Sequence, residues 1–178
     1  MRTSIALSYN PYLRLWHEWF SFWHGMWFTP LPADNTHVFD ISVDRSDAKT
    51  FTAGDSASLE HIVDLPDVEG FATLTGDTNP VHLDPDYARE SKFGERIAHG
   101  MYTASFFGTL FGTALPGPGA IYVSQALDFK APVKLGDIIR ARVQLQELLP
   151  KGRARFVCTA TVGDRVVLTG VAVLMLPR

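Results

Sequence analysis

The 178-residue chain is 46% hydrophobic and 20% charged, the balance of a globular protein with room for one domain, a sizeable core and an appendage. Its net charge of −3 points to no nucleic-acid partner, and its single cysteine, Cys158, excludes an intrachain disulfide or a cysteine-based metal cluster. No apolar run approaches the roughly 18 residues of a membrane span.

The first residues show no apolar stretch followed by a small-residue cleavage site, so no secretory signal is read. The cytoplasm is the expected compartment. A mitochondrial presequence stays open, because Arg2 and Arg14 precede the first acidic residue, Glu18. Residues 1–95 carry 6 Lys/Arg against 15 Asp/Glu, a net of −9, and residues 96–178 carry 10 against 4, a net of +6. Either the two halves neutralise each other across the fold, or the basic half holds an anionic ligand such as a coenzyme phosphate.

Along the chain, Tyr12, Trp16, Trp19, Trp23 and Trp27 recur every three or four residues, which predicts an amphipathic helix over residues 11–28 with one aromatic stripe. Thr29-Pro30 ends it. The stripe packs on the protein's own domain or a partner subunit, or touches a membrane or lipid granule, or belongs to an unstructured leader. Its polar face is poor in Lys and Arg, which weakens the membrane reading. Residues 31–50 have no clear period and read as a linker. The expected organisation is an N-terminal extension over 1–48 and a compact domain over 49–178.

Within the domain, residues 57–63 read as a strand. Asp64 ahead of Leu65-Pro66 reads as an N-cap opening a helix to about Leu74. Gly76 to Pro80 is a loop, and Asp84-Pro85 repeats the cap-and-proline signal for a short helix through Arg89. Residues 100–114 contain no charged side chain and predict a helix buried nearly all round. Four strands follow, over 120–129, 138–148, 153–162 and 165–175, the last pair joined by a Gly163-Asp164 hairpin turn. Cys158 falls within such a strand and reads as a small core residue. One buried helix followed by antiparallel strands predicts an α+β fold, a sheet wrapped around that helix.

Chemistry concentrates in residues 71–88. Asp77 and His82 stand five residues apart on a stretch stiffened by Gly76, Asn79 and Pro80. A carboxylate and an imidazole converging on one water can move a proton in both directions. Singly, Asp77 also reads as a turn former, His82 as a satisfied structural histidine and Asn79 as a turn residue. Gly100 places an unobstructed backbone N–H at the N-terminus of the buried helix, where developing negative charge is favoured; it also reads as a close-packing turn. His99 reads as structural.

The run Gly76-Asp77-Thr78-Asn79-Pro80-Val81-His82 resembles the signature of the R-specific (type 2) enoyl-CoA hydratases of the MaoC-like hot-dog family. His99-Gly100-Met101, the run from Gly119 through Gln125, and Phe129, Pro132 and Gly136-Asp137 fit as well. The resemblance covers residues 50–178; the aromatic leader lies outside it. It implies reversible syn hydration of a trans-2-enoyl-CoA to an R-3-hydroxyacyl-CoA, in fatty-acyl or polyhydroxyalkanoate precursor metabolism. Asp77 and His82 become the acid/base pair, Asn79 supports their loop, and the Gly100 N–H holds the thioester carbonyl. Phe106, Phe107, Phe111 and Gln125 are expected along the substrate. No cofactor and no metal is implied, and coenzyme A enters as part of the substrate. A homodimer joined through sheet edges is expected. Gly108 departs from relatives that place a hydroxyl behind the carboxylate. The alternatives are a dehydratase of 3-hydroxyacyl groups on acyl-carrier protein and a membrane- or granule-binding protein of the same fold.

Overall fold

The computed structural model describes residues 3–5, 39–47 and 50–177; the helix expected over 11–28 lies outside them. The elements in chain order are β1 (Thr3–Ile5), β2 (Ile41–Asp44), β3 (Ser56–Ile62), α1 (Leu65–Thr75), α2 (Pro80–Leu83), α3 (Pro85–Glu90), α4 (Gly100–Thr113), β4 (Ile121–Phe129), β5 (Ile138–Leu149), β6 (Arg153–Val162) and β7 (Arg165–Met175). One antiparallel sheet runs β1-β2-β3-β5-β6-β7-β4. No helix among the described residues is long and apolar enough to cross a membrane.

Alternation along the central strands explains why they pair as they do. On β5, Ile139, Ala141, Val143 and Leu145 are buried while Arg140 and Arg142 point out. On β6, Ala154, Phe156, Cys158 and Ala160 turn the same way. The period of two presents one continuous apolar face, and α4 lies against it through Phe107, Leu110 and Phe111, all 0–1% exposed. Each such aromatic or leucine side chain contributes about 1.5–3 kcal/mol by leaving water. The charge-free helix packed against an antiparallel sheet is the hot-dog arrangement the resemblance implies, though Met101, Ser105 and Thr113 on its outer face are exposed, so it is not buried nearly all round. The Gly163-Asp164 turn joins β6 to β7 with Val162 opposite Arg165.

Two other local expectations change. Residues 41–44, read as part of a linker, form a strand that pairs with β3. Ile41 is buried and Ser42 and Asp44 are exposed, an alternation too short and too rich in aspartate to stand out. The segment after Gly76 is only briefly a loop. Pro80 opens a single helical turn, α2, and His82 sits on it.

Candidate active site

Three consecutive caps place the two reactive side chains. Asp64 and Asp67 form a reciprocal capping box at the start of α1, and Gly76 ends that helix in the left-handed region (φ 78°), its N–H bonded to Ala72 O. A side chain is strained at that φ, so glycine is what lets the chain turn immediately into Asp77. Asn79 then caps α2, accepting from the Val81 N–H at 3.3 Å, with Pro80 in the first turn. The Asn79 N–H itself donates to Asp77 Oδ1 at 3.3 Å. Asp84 accepts from the N–H groups of Asp86 and Tyr87 and starts α3. Only seven residues lie between Gly76 and Asp84, and each change of direction has its own satisfied donor.

Asp77 is exposed, whereas His82 is buried at 8% exposure. The His82 Nδ1–H donates to Ile97 O at 2.8 Å. That bond orients the ring and leaves the Nε2 lone pair for chemistry. Burial pushes the His82 pKa below its ordinary value, against opposing pulls from the Ile97 carbonyl and the Asp77 charge, with His99 adding to the downward push. The ring is therefore a neutral base at neutral pH. Donor atoms of Asp77, His82 and His99 all lie within 4.8 Å of one another, a span that one water molecule can bridge.

Gly100 begins α4, and its N–H is one of the first-turn donors that a helix leaves without an intrahelical partner. A Cβ there would fall 2.7 Å from the Phe129 ring. Close approach, not a left-handed backbone, explains the glycine. His82 and Gly100 share a cleft of about 400 Å³ whose walls include Thr103, Phe129, Lys92 and Lys130.

The structure does not bring the other expected substrate contacts to this cleft. Phe106 lines a separate pocket of about 250 Å³ with Phe71 and Tyr102. Phe107 and Phe111 are core residues, the latter edge-on to Phe156. Gln125 lies across Gly170 and donates to Ala126 O. The cleft wall comes instead from residues after β4 and from Val167 and Leu168 on β7. These meet α4 only through tertiary folding, so no local pattern announces them. Cys158 is fully buried, and burial pushes its thiol up to about 12, as befits a core residue and not a nucleophile.

The model of the MaoC like domain matches residues 39–168. The chain belongs to the MaoC-like domain family. It is 50% identical over 121 residues to a 3-hydroxybutyryl-CoA dehydratase of Methylorubrum extorquens, covering 67% of this chain and 77% of that one. It is 48% identical to an (R)-specific enoyl-CoA hydratase of Rhodospirillum rubrum, covering 70% and 87%. Among solved structures, an (R)-hydratase from Aeromonas caviae involved in PHA biosynthesis superposes with a TM-score of 0.70 at 39% identity, covering 73% of this chain and all of that one. In this MaoC-like chain the capped turn of Asp77 and the buried ring of His82 meet at the N-terminus of the central helix.

Proposed function

We propose that this MaoC-like protein is an R-specific enoyl-CoA hydratase, a hydro-lyase that adds water reversibly and syn across the double bond of a trans-2-enoyl-CoA. The observation that carries the reading is the relation of three groups: the Asp77 carboxylate, the open Nε2 of His82 and the Gly100 N–H at a helix start. A water held between Asp77 and His82 attacks C3 and forms the C–O bond. The π electrons move toward the thioester carbonyl, whose growing charge the Gly100 N–H stabilises; such donors contribute roughly 2.7–4 kcal/mol. The proton lost by the water returns to C2 through the acid/base pair on the same face, so nothing is oxidised and no cofactor is consumed. Asn79 holds the loop that carries Asp77.

Lys92 and Lys130 at the cleft suit the phosphates of coenzyme A. The outer edge of β4, with Ile121, Tyr122, Val123 and Phe129 exposed, fits a homodimer joined along that strand. The proposed compartment is the cytoplasm. Loss of enoyl-thioester absorbance on adding crotonyl-CoA tests the activity. Wild type should be active, and Asp77→Ala and His82→Ala should be folded and nearly silent. Turnover of a carrier-protein thioester with none of crotonyl-CoA would move the assignment to the carrier-protein dehydratases.

A further inference from the structure

We propose that His99 is a positioning residue for the hydration, one side chain that fixes the Asp77 main chain, the His82 ring and the Gly100 donor in a single relation. The inference rests on the hydratase reading above and adds to it a residue that reading leaves idle.

His99 sits at the N-cap position of α4 with an extended backbone (φ −61°, ψ 138°), yet its side chain makes no capping bond to the helix. It turns away instead, and its Nε2–H donates to Asp77 O at 2.9 Å across 22 residues of sequence. The same ring lies against His82, with centroids 3.8 Å apart and planes 31° from parallel. Phe71 packs on it at 5.1 Å. Its backbone carbonyl accepts from the Thr103 N–H at 3.3 Å, which holds the peptide plane that also carries the Gly100 N–H. Every group assigned a role in the reaction therefore touches His99 or adjoins it in the chain.

A role in packing alone explains these contacts poorly. His99 is 2% exposed, and its Nδ1 is buried with no hydrogen-bond partner among the described residues. An unsatisfied buried nitrogen destabilises the fold. A helix normally gains from a capping side chain at this position, and here the side chain is spent elsewhere. What the histidine supplies is a flat ring for His82 together with a donor at the distance of the Asp77 carbonyl. Misplacing reacting groups by about 1 Å costs on the order of 100-fold in rate, so rigidity here reaches directly into turnover.

The groups that face His82 are Asp77 from the turn after α1, His99 from the N-cap of α4, and Lys92 and Lys130 in the same cleft. Replacing His99 removes a neighbour that opposes protonation of His82. The acid limb of the rate profile should then move to higher pH.

The test compares His99→Gln and His99→Phe in the full chain, by crotonyl-CoA kinetics and by NMR titration of His82. Gln keeps a donor near the Nε2 position and should keep kcat within about tenfold of wild type; Phe keeps the flat ring without the donor and should lose about 100-fold in kcat with KM little changed. In His99→Gln the His82 titration should move up. Equal kcat for both folded variants and wild type, with an unmoved His82 titration, would overturn the proposal. Should wild type hydrate no enoyl thioester, the hydratase reading fails by itself. The His82 titration and the amide signal of Asp77 then still decide whether His99 holds the pair. Should the Phe variant not fold, the Gln variant carries the same decision through its titration shift.

Discussion

Two Asp–His pairs flank α4, and they differ in one respect that separates structure from chemistry. His61 on β3 bonds directly to Asp67, Nε2 to Oδ2 at 2.7 Å, and the Tyr102 hydroxyl donates to the same oxygen at 2.9 Å. Aromatic rings of Phe39, Tyr102 and Phe106 surround His61. Asp67 also completes the capping box of α1. At the other pair, no direct hydrogen bond joins Asp77 to His82. Each is tied to backbone instead, Asp77 to Asn79 N–H and His82 to Ile97 O. The first pair is joined by a direct bond. The second is held apart, with room for a third participant, and a pair of that kind can take a proton and give it back.

The largest expected effect breaks this contrast in function. Asp77→Asn and His82→Gln should each lower kcat by about 10²–10⁴-fold with little change in melting temperature. Asp67→Asn should do the reverse. It leaves a half-buried network with a wrong partner, which costs about 1–3 kcal/mol, and the melting temperature should fall by several degrees while the folded enzyme keeps its kcat. Calorimetry and crotonyl-CoA kinetics on the same preparations check both. A catalytic collapse in Asp67→Asn without loss of stability would show that the bonded pair also takes part in the chemistry.

The next effect sharpens the contrast through pH. At Asp67, burial pushes the carboxyl up, but hydrogen bonds from His61 and Tyr102 outweigh it and hold it below the ordinary carboxylate range. The unfolded carboxyl binds its proton more tightly, so this contribution is present above about pH 4 and is lost as pH falls through the folded value. His82 is also lowered, first by burial. Its unfolded ring takes a proton near pH 6.5 while the folded ring resists, so stability begins to fall below that pH. Urea midpoints measured against pH should show both losses. His82→Gln should remove the upper one alone and Asp67→Asn the lower one alone. The acid limb of kcat/KM should lie below the ordinary histidine value, and a limb above it would contradict the assignment of His82 as the base.

How much of this could be read from the residues depends on how far each determinant reaches. Asp64, Asn79 and Asp84 act on N–H groups two or three positions away, and each precedes or nearly precedes a proline. The turn that delivers Asp77 and His82 was therefore legible, as was the charge-free α4. Phe129 over Gly100 and the Ile97–Lys134 bridge beside the cleft join segments 29 and 37 residues apart, and no local pattern encodes them. The aromatic residues of α4 show the limit from the other side. Their spacing is that of a buried helix, and the sequence does not say which of Phe106, Phe107 and Phe111 faces a cleft and which the core. The contacts of His99 are hidden for the same reason, since its partners lie 17 and 22 residues upstream.

The smallest expected effect concerns Gly108, midway along α4. Among the described residues, an added Cβ there would meet no atom within 4 Å beyond its own helix backbone and chain neighbours, and its φ is not in the left-handed region that demands glycine. The residue therefore carries only the entropic cost of glycine in a helix, about 0.5–1 kcal/mol relative to alanine. Gly108→Ala should raise the melting temperature by roughly 1–4 °C and leave kcat and KM with crotonyl-CoA unchanged. The contrast with Gly100 is the point of the experiment. Both glycines lie on the same helix, but at Gly100 a methyl group must displace the Phe129 ring beside the donor N–H. Gly100→Ala should therefore lower kcat where Gly108→Ala does not. Equal loss of activity in both would mean that the open space at Gly108 is part of the substrate's path.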